Sequence, residues 1–112
     1  MGMSFLISNK LFIMRKITQE SIEAFLNAET FSKSNMIVEV LPNVTVLKYH
    51  NNEIAYRYND PKQTLSITNC GWFTPTTKER LNALPNVSIQ QKNFVWYLNG
   101  KEWNGKLTEL KK

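Results

Sequence analysis

The chain has 112 residues, 42% of them apolar and 21% charged, a balance that suits one globular domain and argues against disorder. No apolar run reaches the roughly 20 residues of a membrane span, and no small-residue cleavage site follows the Phe5–Met14 stretch as a signal peptide would require. The single cysteine, Cys70, excludes an internal disulfide and suits a reducing compartment such as the cytoplasm.

Residues 1–13 read as an N-terminal arm or a non-native extension, with Phe5–Ile7 as an edge strand in the alternative. Residues 14–112 read as a single α+β domain. A helix is expected from Thr18, a good N-cap, with Glu20 in its first turn and Ile17 and Ile22 spaced as a hydrophobic staple. Ile22, Phe25 and Leu26 share its apolar face, and the helix should end between Asn27 and Phe31, before a Ser32–Asn35 turn.

Short strands follow. Met36–Val40 is apolar at four of five positions, and Pro42-Asn43 breaks it. Val44–Tyr49 alternates, and Asn51-Asn52 reads as a hairpin turn. Glu53–Tyr58 should then place Ile54, Tyr56 and Tyr58 on one side, and Thr64–Thr68 should do the same with Leu65 and Ile67. A second helix is expected over Pro75–Leu84, capped either by Thr74 with Pro75 at its first position or by Thr76 in a Thr76–Glu79 capping box. Leu81 and Leu84 should face inward. Beyond Pro85, strands are expected at Val87–Gln90 and Phe94–Leu98, with a turn at Lys92-Asn93 and Phe94, Trp96 and Leu98 on the core side. Asn99-Gly100 is the strongest hairpin signal in the chain, and Lys101–Trp103 and Leu107–Leu110 close the sheet. The expected architecture is an antiparallel meander of about five to seven short strands, with an N-terminal helix and a second short helix packed on one face.

Fourteen basic residues against nine acidic ones leave a net charge of +5. The excess sits late in the chain: residues 61–112 hold eight Lys/Arg against three Glu, again +5. Such a half attracts nucleic acid or an acidic protein patch. Catalytic chemistry, by contrast, is not legible. His50 is the only histidine, Asp60 the only aspartate, and the four glycines never pair at a phosphate-loop spacing. No metal site and no cofactor are expected, and the protein is not expected to be an enzyme.

Two segments look functional. In Asn69–Arg80, hydroxyls and cations surround a helix start beside Trp72 and Phe73, an arrangement that suits phosphate and a stacked base. In Gln90–Lys106, lysines interleave with Phe94, Trp96, Tyr97 and Trp103, as on sheets that hold single strands or on protein interfaces. Of these aromatics, Tyr97 and Trp103 are the ones expected at the surface. The candidate binding residues for nucleic acid or a partner are therefore Trp72, Thr76, Thr77, Lys78, Arg80, Lys92, Tyr97, Lys101, Trp103 and Lys106.

The strings Gly71-Trp72, Thr76–Asn82, Ile89–Lys92 and Trp96–Gly100 carry a resemblance. From Met14 onward, about the last hundred residues, the chain resembles a group of small proteins encoded by bacteriophages and prophages. The resemblance implies a phage context and carries over no active site. Small phage proteins of this kind act by binding. The expected partner is nucleic acid, RNA or single-stranded DNA, or a ribonucleoprotein. The alternative is a host protein, with the chain acting as an anti-defence inhibitor of a nuclease complex such as an RNA-guided CRISPR effector.

Overall fold

A computed structural model describes residues 15–110; the expected arm over residues 1–13, with its edge strand, and Lys111 and Lys112 lie outside the described residues. Helix α1 (Lys16–Leu26) opens the fold. Strands β1 (Phe31–Lys33), β2 (Met36–Val40), β3 (Val44–Tyr49), β4 (Asn52–Tyr58) and β5 (Leu65–Ile67) follow. Then come helix α2 (Pro75–Asn82) and strands β6 (Ile89–Lys92), β7 (Val95–Leu98), β8 (Lys101–Glu102) and β9 (Thr108–Leu110). The α+β class, the antiparallel pairing and both helices are as the sequence implies.

The strands divide into two sheets where one was expected. The larger runs β1-β2-β3-β4-β5-β9, a five-strand meander extended by the last strand; the smaller runs β6-β7-β8. A side chain occupies the outer edge of β6 at its start. The Asn82 amide donates to the Ile89 carbonyl at 3.1 Å and accepts from the Ile89 N–H at 2.7 Å, as a neighbouring strand would. On the β7 side, Asn99 fastens the approach to β6, accepting from Ser88 N–H and donating to the Asn86 carbonyl while its own N–H donates to the Ser88 carbonyl. The Asn82 side chain thus stands in for a partner strand at the start of β6.

One hydrophobic cluster joins both sheets. Ile22 and Phe25 of α1 meet Met36, Val38, Leu47, Ala55 and Ile67, and the cluster continues through Leu81, Leu84, Val87 and Ile89 to Trp96, Leu98 and Trp103. A register shift between Leu47 and Lys48 turns both Ile54 and Ala55 inward, so Ile54 leaves the side occupied by Tyr56 and Tyr58.

Turn positions move by one residue from those the sequence suggests. The β3–β4 hairpin turns on His50-Asn51 rather than Asn51-Asn52, with φ of 52° and 64°. The β6–β7 hairpin turns on Asn93-Phe94, φ 53° and 69°, rather than on Lys92-Asn93. The expected Asn99-Gly100 turn is present, φ 51° and 88°. In all three, two successive positive φ angles match the twist of the strands they join. Helix α1 also starts two residues before Thr18: Arg15 stands at its N-cap, and buried Thr18 lies inside the helix. Its hydroxyl turns away from the helix end and donates to Glu79 Oε1 at 2.9 Å.

On the face of the large sheet that bears Val46, the Tyr56 hydroxyl donates to Glu53 Oε1 at 2.7 Å, and its ring stacks on Tyr58. Burial, then the Glu53 carboxylate, push the Tyr56 phenol from 10.0 up to about 12. A raised folded-state pKa favours the protonated form, so this stabilisation is complete below pH 10 and is lost as the pH rises toward 12. We expect Tyr56→Phe to flatten that part of the alkaline decline. Urea unfolding at pH 9 and at pH 11.5 checks it; an unchanged loss in the variant would rule Tyr56 out as its source.

Candidate functional site

The loop from β5 to α2 meets the tip of the β3–β4 hairpin and leaves a cleft of about 520 Å³ between them. Tyr49, His50 and Asn52 line it from the hairpin; Trp72, Thr74, Thr76 and Thr77 line it from the loop and the first turn of α2. Both walls are held. His50 N–H donates to the Asn35 carbonyl at 2.9 Å, and Trp72 N–H to the Asn69 carbonyl at 2.8 Å. The His50 ring packs on Tyr49 at 4.5 Å between centroids.

Thr74, not Thr76, caps α2: its Oγ1 accepts from Thr77 N–H at 3.2 Å, while Lys78 N–H donates to its carbonyl. Pro75 brings no N–H. The donors that a helix start offers to a phosphate are thus largely consumed within the chain, against the expectation of a phosphate seat at this end.

Exposed aromatics stand at two places. At the cleft, Trp72 is 53% and the adjoining Phe73 51% exposed, and at the β6–β7 tip Phe94 is 94% exposed. Phe73 meets the edge of Trp96 at 5.0 Å, and Lys78 Nζ stands 5.9 Å above the Trp96 ring while donating to Gln91 Oε1. Trp96 itself is buried and stacks on Trp103. Placing Phe94 on the core face was wrong for a simple reason: the turn sits one residue later, so Phe94 leaves the strand and stands at the hairpin tip.

Three of the ten candidate residues are inside the protein. Trp103 is buried, with its indole N–H donating to Thr108 Oγ1 at 2.9 Å and to the Lys106 carbonyl at 3.1 Å, which corrects its expected exposure. Thr77 is fully buried and tied to Thr74. Arg80 is 1% exposed; it bonds Thr18 Oγ1, Glu79 Oε1 at 2.6 Å and Asn35 Oδ1 at 3.4 Å, and lies over the Tyr49 ring. It is a buried structural cation rather than a surface group that meets a ligand. The others reach solvent. Trp72 and Thr76 line the cleft, Lys78 is half-buried next to them, and Lys92 is exposed at the end of β6. Tyr97 is half-buried beside exposed Lys101 on β7 and β8, and Lys106 is exposed.

The hairpin wall of Tyr49, His50 and Asn52 is absent from the sequence-derived set. Its one available signal was His50-Asn51, two residue types that tolerate positive φ, which marks the turn and hence the tip. A second hollow, about 290 Å³, is lined by Leu26, Arg57, Leu65 and Leu110; its Arg57 guanidinium donates to the Leu26 carbonyl at the end of α1. Among the described residues no group of three or more His, Cys, Asp or Glu could hold a metal, and no helix is long and apolar enough to cross a membrane.

No curated protein and no solved structure matches the chain. A family model, described as Kyanoviridae Gp96 protein, matches residues 14–109, starting at the residue where the phage-protein resemblance starts. Because that match covers most of the sequence, the chain belongs to this phage protein family.

Proposed function

We propose that this phage protein is a non-catalytic binding module of the host cytoplasm that holds single-stranded nucleic acid, RNA or DNA, free or within a ribonucleoprotein. The observation that carries the reading is the exposure of Trp72 and Phe73 a few residues before Lys78, and of Phe94 two residues after exposed Lys92. Exposed rings stack on bases of any identity and ammonium groups track the backbone, which together make a sequence-tolerant single-strand surface. Lys101 and Lys106 extend the supply of exposed cations. Fluorescence anisotropy of labelled RNA and DNA strands over a salt series tests it. Affinity should fall linearly on a log–log plot, by about 0.7 per phosphate neutralised, and removing Lys78 and Lys92 together should flatten that slope. No affinity at low salt, or affinity indifferent to salt, would overturn the reading.

A second reading, inhibition of a host nuclease complex such as an RNA-guided CRISPR effector by protein contact, is favoured by Phe94. An exposed aromatic at a hairpin tip is also the form of a hot-spot anchor for a protein pocket. A host protein captured from lysate, still bound after nuclease digestion and released by Phe94→Gly, would support this reading over the first.

A further inference from the structure

The cleft between the β3–β4 hairpin and the start of α2 has a chemistry of its own. Its volume, about 520 Å³, is that of a small-ligand site. Among the described residues its walls carry the rings of Tyr49, His50 and Trp72 and no carboxylate, ammonium or guanidinium. Trp72 keeps half its surface open, so one ring is free to stack. Asn52 supplies polar edge chemistry: its amide nitrogen makes one long bond, 3.3 Å, to the His50 carbonyl, and its Oδ1 accepts no hydrogen bond from the described residues. The Thr76 hydroxyl is similarly uncommitted among them, in contrast to Thr74 and Thr77, which bond each other.

An anion is a poor occupant. Among the described residues the wall has no lysine or arginine, Pro75 has no N–H, and Thr77 N–H already serves Thr74. A planar, uncharged heteroaromatic with donors and acceptors on its rim fits the lining: the ring faces Trp72, and the rim meets Asn52 and Thr76. Lys78, two residues past Thr76 on α2, stands outside the cleft and next to Gln91, where a backbone phosphate could follow.

We propose that this cleft takes a single unpaired nucleobase, stacked on Trp72 with its hydrogen-bonding edge against Asn52 and Thr76, while the attached strand runs out toward Lys78. This rests on the single-strand reading and deepens it. A base whose hydrogen-bonding edge meets Asn52 and Thr76 cannot present that edge to a complement, so it comes to the cleft unpaired.

The full chain, labelled with nitrogen-15, is titrated with a short homopolymer strand and with a strand of equal length carrying abasic sites. The base-bearing strand should shift the Trp72 indole and Asn52 amide signals. The abasic strand should leave both in place and bind at least about fivefold more weakly, the loss expected of one stacked base. Trp72→Ala and Asn52→Ala should each weaken only the base-bearing strand, and Trp72→Phe should restore most of the loss. If the base-bearing strand binds more tightly than the abasic one while the Asn52 signal stays fixed and Asn52→Ala changes nothing, the base pocket is overturned and the single-strand surface stands; if both strands bind equally, stacking is overturned at the pocket and at the surface alike. If neither strand binds, both fall.

Discussion

Arg80→Ala should cost about 3–5 kcal/mol, the penalty of leaving one partner of a buried ion pair alone. Against a typical domain stability of about 5–15 kcal/mol that is a large fraction, and the variant should unfold at far lower urea than the parent. Arg80 joins four parts of the fold from one nearly solvent-free position. It donates to Thr18 in α1, to Glu79 beside it in α2 and to Asn35 in the β1–β2 turn, and its guanidinium covers Tyr49 in β3. Without it, Glu79 still accepts from Arg15 N–H and the Thr18 hydroxyl, but its negative charge, 22% exposed, loses its cation. The network is not fully satisfied even in the parent, since Arg80 Nε has no partner. Its strength therefore lies in the pairing itself. Arg80→Met combined with Glu79→Leu removes both charges and should recover much of the loss, whereas Arg80→Met alone should not. A single Arg80→Ala cost below about 1 kcal/mol would show that the network contributes little.

Phe94→Gly should separate stability from binding in the opposite sense. Truncating a buried phenylalanine typically costs about 3–5 kcal/mol. Here the side chain is 94% exposed, and its backbone, φ 69°, sits in the left-handed region that costs an L-residue about 1–2 kcal/mol. Glycine relieves that strain and gives part of it back through its larger unfolded-state entropy, for a net stability between unchanged and about 1 kcal/mol higher. The same substitution removes the most exposed ring of the proposed surface, so affinity for a single strand should fall about tenfold, the scale of one stacking contact. Thermal unfolding and anisotropy on the same preparation test both halves. A destabilisation beyond about 1 kcal/mol would mean that the ring supports the fold; undiminished affinity would remove it from the interface.

The two helices, the meander and the Asn99-Gly100 hairpin were legible because each depends on near neighbours: period, capping and turn chemistry. What failed were decisions between adjacent residues and contacts between distant ones. Shifting one turn by a single residue carries Phe94 from core to tip, and no local pattern distinguishes Asn93-Phe94 from Lys92-Asn93. Trp103 reads as a surface aromatic until its N–H is seen bonded to Thr108. Thr18 reads as a cap because its true partners, Glu79 and Arg80, lie 61 and 62 residues away. The cleft has the same character. Its two walls come from residues 49–52 and 72–77, and nothing in either stretch announces the other.

The order of the large sheet bears on how the chain reaches this structure. Strands β1 to β5 each pair with their sequence neighbours in the meander, so α1 and the meander close short loops, at low entropic cost, from the first two-thirds of the polypeptide. Strand β9 is different: Thr108–Leu110 must return across four intervening elements to pair with Leu65–Ile67, and it does so at a sheet edge. During synthesis the meander is made before β9, and β9 is expected to dock late, outside the folding nucleus. Thr108→Ala should accordingly speed unfolding and leave the refolding rate nearly unchanged in stopped-flow, whereas Leu47→Ala should slow refolding.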